Sequence, residues 1–169
     1  RPSRKKAAVT AKKLAEMIAS AEGEGTRSIR DRAVLALGLA AALRRSELVG
    51  LELRDVEFVP EGLRLTIRHS KTDQEGKGQV IAVPVGKSLK PVARLQAWLA
   101  VRGTTPGPLF WRIDPQGRMV DMAMSDRSVA RLVQKHAGRA GLDPESVGGH
   151  SLRAGFLTEA ARAGASAGW

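Results

Sequence analysis

The chain has 169 residues, 28 lysines and arginines against 17 aspartates and glutamates, a formal net charge of +11, and 43% hydrophobic residues. That length bounds it at about one domain with a real core, the hydrophobic share excludes a disordered chain, and the absence of cysteine excludes disulfides and thiolate-bound metals. So large a positive charge on a small domain repels itself unless a polyanion relieves it, which ranks nucleic acid first among partners and an anionic membrane surface second.

Residues 1–9 read as a basic linker, with Arg1, Arg4, Lys5 and Lys6 and no acid before Glu16. Thr10 is placed to cap a helix running to about Glu22, with Leu14, Met17 and Ile18 on its apolar face and Gly23 and Gly25 closing it. A second helix is expected from about Ser28 to Leu43, mostly apolar after Val34 and therefore deeply buried. Its apolar run, Ala33 to Leu43, is far too short to span a bilayer, so no membrane partner is expected. Ser46 offers an N-cap for a short turn, Glu47 to Leu51.

From Val56 the period changes to two. Val56 and Phe58, a Pro60-Glu61-Gly62 turn, then Leu63, Leu65 and Ile67 predict a β-hairpin. Val80 to Val83, before Pro84, reads as a third strand, after a polar loop from Lys71 to Gly78. A helix follows from about Leu89 to Val101, carrying Val92, Leu95, Trp98 and Leu99. The stretch Gly103 to Arg118, rich in Pro and Gly, reads as irregular. Ser125 caps a helix to about Ala140, and a last helix is expected from about His150 to Ala163. The fold class is mainly α with a small antiparallel β-sheet (α+β). With aromatics at 4%, the core is expected to be aliphatic.

Three segments stand out: Ala42-Leu43-Arg44-Arg45-Ser46-Glu47-Leu48, Ser70-Lys71-Thr72-Asp73-Gln74 and His150-Ser151-Leu152-Arg153. Each alone has a plain structural account. Arg44 and Arg45 suit a helix C-terminus, where the dipole favours cations; Lys71 suits a solvated loop; His150 suits a helix start. Their order and setting, at a helix end, a hairpin and a helix start, together resemble the tyrosine recombinase (phage integrase) family. Arg30-Asp31-Arg32-Ala33, Leu51 to Val56 and Ala154-Gly155-Phe156 fit the same family, so the resemblance covers nearly the whole chain.

That resemblance implies a role for each residue. Arg44 and Arg153 match the family's two catalytic arginines, Lys71 its hairpin lysine and His150 its histidine, with Glu47 where an acidic residue supports the site. Arg45 is the ambiguous neighbour of Arg44. It also implies a tyrosine nucleophile, yet the sequence contains none. Trp169 follows Arg153 too closely to serve as the family's later site residue and is placed outside the site. The expectation is a catalytic domain, residues 10–169, that lacks its C-terminal segment.

The chemistry accounts for these residue types. Attack on a phosphodiester adds negative charge to the non-bridging oxygens, which guanidiniums grip bidentately while staying charged at any relevant pH. The leaving 5′ oxygen needs a proton, which a lysine can deliver, and an imidazole can donate a hydrogen bond to the phosphate. A 3′-phosphotyrosyl link stores the energy of the broken bond. No metal or other cofactor is expected. His69 and His136 read as isolated surface or strand histidines, and Glu22, Glu24 and Asp31 do not compose a two-metal cluster.

Double-stranded DNA is the expected partner. Arg64, Arg68 and Lys77 on the hairpin, with Arg127, Arg131 and Lys135 as a stripe on the late helix, are candidate phosphate contacts. The resemblance further implies a tetramer on DNA for the full-length protein, a monomer for this piece, and a cytoplasmic, nucleoid-associated setting. Two other readings stay open: a non-catalytic DNA-binding module of the same fold, and a type IB topoisomerase-like enzyme.

Overall fold

A computed structural model describes residues 11–21, 23–68 and 78–142. The basic linker, Glu22, the loop with His69, Lys71 and Lys77, and everything from Asp143 on, including His150, Arg153 and Trp169, lie outside the described residues.

Helix α1 spans Ala11–Ala19 and buries Leu14, Met17 and Ile18, spaced three and four apart on one face. Helix α2, Thr26–Ala40, is buried along its length from Ala33 onward, as an all-apolar helix must be. It is the central element, packed by α1, by α4 (Pro91–Arg102) and by α5 (Asp126–Arg139). Helix α3 is short, Arg45–Gly50, and packs on α5. Among the described residues no helix is long and apolar enough to cross a membrane.

A 3₁₀ turn, Leu53–Asp55, leads into a three-stranded antiparallel sheet ordered β1 (Val56–Val59), β2 (Gly62–Ile67), β3 (Gln79–Pro84). Leu63, Leu65, Ile67 and Val83 lie on one side and enter the core, while Arg64 faces outward opposite Glu57 and Ala82. Gly62 is fixed by geometry: at φ +151 its backbone passes so close to the Val83 carbonyl that any Cβ would overlap it.

Two expectations are corrected here. The stretch after Gly103 is not irregular throughout. It contains a second hairpin, β4 (Trp111–Ile113) and β5 (Met119–Ala123), closed by a turn in which the Asp114 carboxylate accepts the N–H groups of Gln116 and Arg118. Nor is the core wholly aliphatic, since Trp98, Phe110 and Trp111 are buried in it. Trp98 and Phe110 stack with centroids 6.4 Å apart, and the Trp98 indole donates to the Leu109 carbonyl at 2.9 Å.

Candidate functional site: a guanidinium at a helix junction and a basic groove

The junction between α2 and α3 is built by a reversal of the chain. Ala42 takes a left-handed φ of 55 and stops α2 three residues before the predicted Leu43 end. The Leu43 N–H then donates to the Gly38 carbonyl at 3.1 Å, and its buried side chain pins the turn. Arg44, extended at ψ 154, becomes the N-cap residue of α3, a role expected for Ser46. The Glu47 carboxylate satisfies the cap by accepting the Arg44 N–H at 2.8 Å. Its other oxygen lies 3.7 Å from Arg44 Nη1.

Glu47 is therefore the inner partner, its side chain 14% exposed, and Arg44 the outer one at 37%. The carboxylate fixes both the main chain and the side chain of Arg44 and leaves guanidinium donors facing outward. Arg45 turns the other way, to Asp126 at 3.0 Å, and ties α3 to the start of α5. The sequence alone leaves the register between the two arginines open; each pairs with a different carboxylate, and their side chains are exposed alike, 37% and 36%.

A cavity of about 160 Å³ lies beside Glu47, lined also by Ser46, Leu51, Thr66, Ile67 and Arg68. The end of β2 thus borders the α3 site. Arg68 Nε donates to both Asp55 oxygens at 3.1 and 3.2 Å, with Glu52 at 3.6 Å. Its charge is balanced by two carboxylates. Arg64 stands on the outer sheet face, 3.9 Å from Glu57.

The second feature is a groove of about 490 Å³ among the start of α2, β4 and α5. Arg27, Arg112, Arg131 and Lys135 line it, with the hydroxyls of Ser125 and Ser128. Its floor is the buried pair Arg30–Asp31, joined at 2.9 Å, with Arg30 also donating to the Trp111 carbonyl at 3.0 Å. Burial pushes the Arg30 pKa down and Asp31 pulls it back up. Of the predicted stripe, Arg131 and Lys135 face this groove; Arg127 is exposed on α5 outside it. Arg27 and Arg112 escaped the sequence reading. The alternation Trp111-Arg112-Ile113 before a Pro-Gln-Gly turn was the signal for the latter.

His136 is corrected. It is a core residue of α5, 2% exposed, with Nδ1 at 2.8 Å from Ser20 Oγ. Asp31 is held by Arg30, and among the described residues no group of acids and histidines could hold a metal ion.

The phage integrase family model matches residues 8–168. The integrase/recombinase xerD homolog of Selenomonas ruminantium is 41% identical over 141 residues, covering 82% of this chain and 41% of that protein. Tyrosine recombinase XerD of Xanthomonas axonopodis pv. citri is 32% identical over 168 residues, covering 94% of this chain and 50% of that protein. This chain thus spans half or less of the length of these curated relatives. Among solved structures, the XerH site-specific recombinase bound to difH substrate, a pre-cleavage complex, superposes with a TM-score of 0.70 at 20% identity, over 90% of this chain and 41% of that one. XerA recombinase gives 0.69 at 22% identity, over 97% and 52%. These two share the fold: mainly helical, with small antiparallel sheets. With the family model matched over nearly all its residues and a relative this similar, the chain belongs to the phage integrase family, the tyrosine recombinases.

Proposed function

We propose that this chain is the phosphate-gripping part of a site-specific DNA recombinase that breaks and rejoins DNA through a 3′-phosphotyrosyl intermediate. The observation that carries the reading is Arg44, held from below by Glu47 with its guanidinium turned outward, in a chain of this family. In this proposal Arg44 and Arg153 bind the non-bridging oxygens, His150 donates a hydrogen bond to them, and Lys71 protonates the leaving 5′ oxygen. Rigid, preorganised cations of this kind act mainly on the transition state, where the charge grows. The groove of Arg27, Arg112, Arg131 and Lys135 holds the flanking duplex through its phosphates. Residues 10–169 act as a catalytic domain with the nucleophilic tyrosine absent from this chain, and the full-length protein assembles on DNA as a tetramer.

The test is a chimera: this chain joined to the C-terminal segment, with its tyrosine, of the 41% identical relative, incubated with a suicide DNA substrate. A covalent protein–DNA adduct is expected, forming about 10²–10³ slower in Arg44→Ala. A chimera that binds the duplex but never forms the adduct would replace this reading with the non-catalytic DNA-binding module.

A further inference from the structure

We propose that the cleft between α2 and the start of α4 is a second phosphate-binding site, separate from the α5 groove. It is a cavity of about 280 Å³ lined by Arg32 and Ile29 of α2, and by Lys90, Ala93, Arg94 and Ala97 at α4. Three cations and no acid line it. Arg32 and Arg30 are two residues apart on α2, about 200° around the helix, so this cleft and the groove floored by Arg30 open on different sides.

The polar groups here are arranged for an anion that the protein does not supply. Arg94 Nε is fully buried and has no hydrogen-bond partner. Native structures rarely leave a buried donor unmet, because its desolvation is then uncompensated. Burial, together with the like charge of Arg32, lowers the Arg94 pKa. Arg32 is anchored by donating to the carbonyls of Ala21 and Gly23, so it cannot swing away from Arg94 to relieve the repulsion.

The backbone adds to this. Lys90 sits at a left-handed φ of 53, Pro91 opens α4, and no side chain caps the first turn. Lys90, Ala93, Arg94 and Ala97 form one side of α4 along this cleft, beginning at its N-terminal end, where the dipole favours an anion. Two guanidiniums and an ammonium lining one cleft suit a tetrahedral oxyanion with several acceptor oxygens. The shared chemistry is phosphate, either free or in a DNA backbone.

The experiment is a titration of the isotopically labelled chain with inorganic phosphate, at ionic strength held constant with chloride, followed by amide and Arg Nε–H resonances. Val92, Ala93 and the Arg94 Nε–H are expected to shift saturably. Lys90→Gln and Arg94→Gln are each expected to weaken binding about tenfold, while Arg118→Gln leaves it unchanged. Lys90 is exposed, so its variant reports even if Arg94→Gln does not fold. A repeat with a short duplex separates the sources: the same shifts, lost in Lys90→Gln, assign the phosphate to DNA, and shifts from inorganic phosphate only assign it to the free ion. Resonances that stay still, or that move with equal affinity in wild type and Lys90→Gln, overturn the proposal. Binding of DNA through Arg131 and Lys135 is read on other resonances, so it stands or falls separately.

Discussion

Arg102 closes α4, only 4% exposed as a residue, and among the described residues no carboxylate forms an ion pair with it. It donates instead to the carbonyls of Gly103, Pro108 and Leu109 at 2.6 to 3.1 Å, and lies 4.8 Å over the Trp111 ring. It thereby satisfies the turn that carries the chain from α4 to β4. Arg102→Met keeps the packing volume but leaves these acceptors without a donor. It should cost about 2–4 kcal/mol, and a loss under about 1 kcal/mol in urea unfolding would refute this role. His136 raises a different issue at the same scale. The Ser20 hydroxyl donates its one hydrogen to the Met17 carbonyl at 2.7 Å, so it accepts from His136 Nδ1–H, and the buried Nε2 lone pair has no partner. Burial lowers the His136 pKa; Asp31 of α2 opposes this, and Arg139 and Lys135 of α5 add to it. The unfolded histidine, at about 6.5, therefore takes up its proton before the folded one does. Stability should be insensitive to this residue above pH 6.5 and fall as pH drops below it, until the folded pKa is reached, by at most about 1.4 kcal/mol per pH unit. His136→Gln should flatten that difference in pH-dependent denaturation; a parallel pH dependence in wild type and variant would count against a neutral His136.

Elements with a clear period are legible in the sequence. Helices α1, α4 and α5, and the β1–β2–β3 sheet, follow the spacing of their apolar residues within a few positions, and Ser125 caps α5 by accepting the Ser128 N–H at 3.0 Å. The β4–β5 hairpin is marked in the sequence only by the three-residue alternation of β4. Its strands have three and five residues, and Asp121 and Met122 are both exposed, so no alternation marks β5. The end of α2 also escaped, because Ala41 and Ala42 are good helix formers and nothing local announces a left-handed turn. That turn is nonetheless what delivers Arg44 to its cap position. Arg44 and Glu47 were legible as residue types, as were Arg131 and Lys135 on α5, while their grouping with Arg27 and Arg112 in one groove was not, since it comes about only through packing. Ala42→Gly tests the element directly. Relief of the left-handed strain, about 1–2 kcal/mol, outweighs the added freedom of the unfolded chain, about 0.4–1 kcal/mol. A net gain of up to about 1 kcal/mol in unfolding free energy is expected, and a loss would mean the turn is not strained.

At the scale of the whole molecule, the placement of acids decides where the net charge of +11 is felt. Among the described residues the carboxylates are largely committed: Asp31 to Arg30, Glu47 to Arg44, Asp126 to Arg45, Glu52 to Arg54, Asp55 to Arg68, and Asp114 to Arg118. The pairs of Glu52, Asp55 and Asp114 neutralise the surface around the sheet and the hairpin turn. Arg27, Arg112, Arg131 and Lys135 have no such partner there and share one groove. A duplex laid along it would release counter-ions in proportion to the phosphates neutralised, with a slope of about −0.9 per contact in log affinity against log salt. If Arg131 and Lys135 each meet one phosphate, the double change to Gln should make that slope shallower by about 1.8, and weaken binding similarly for unrelated sequences, since phosphate contacts carry no base information. Arg118→Gln is the matched control: it also removes a surface cation, but one already paired with Asp114 at 3.1 Å, so the slope should barely change. Salt titrations of duplex binding by anisotropy measure both. Equal slopes for wild type and the double variant would mean that the duplex lies elsewhere, and that this groove's charge serves another ligand.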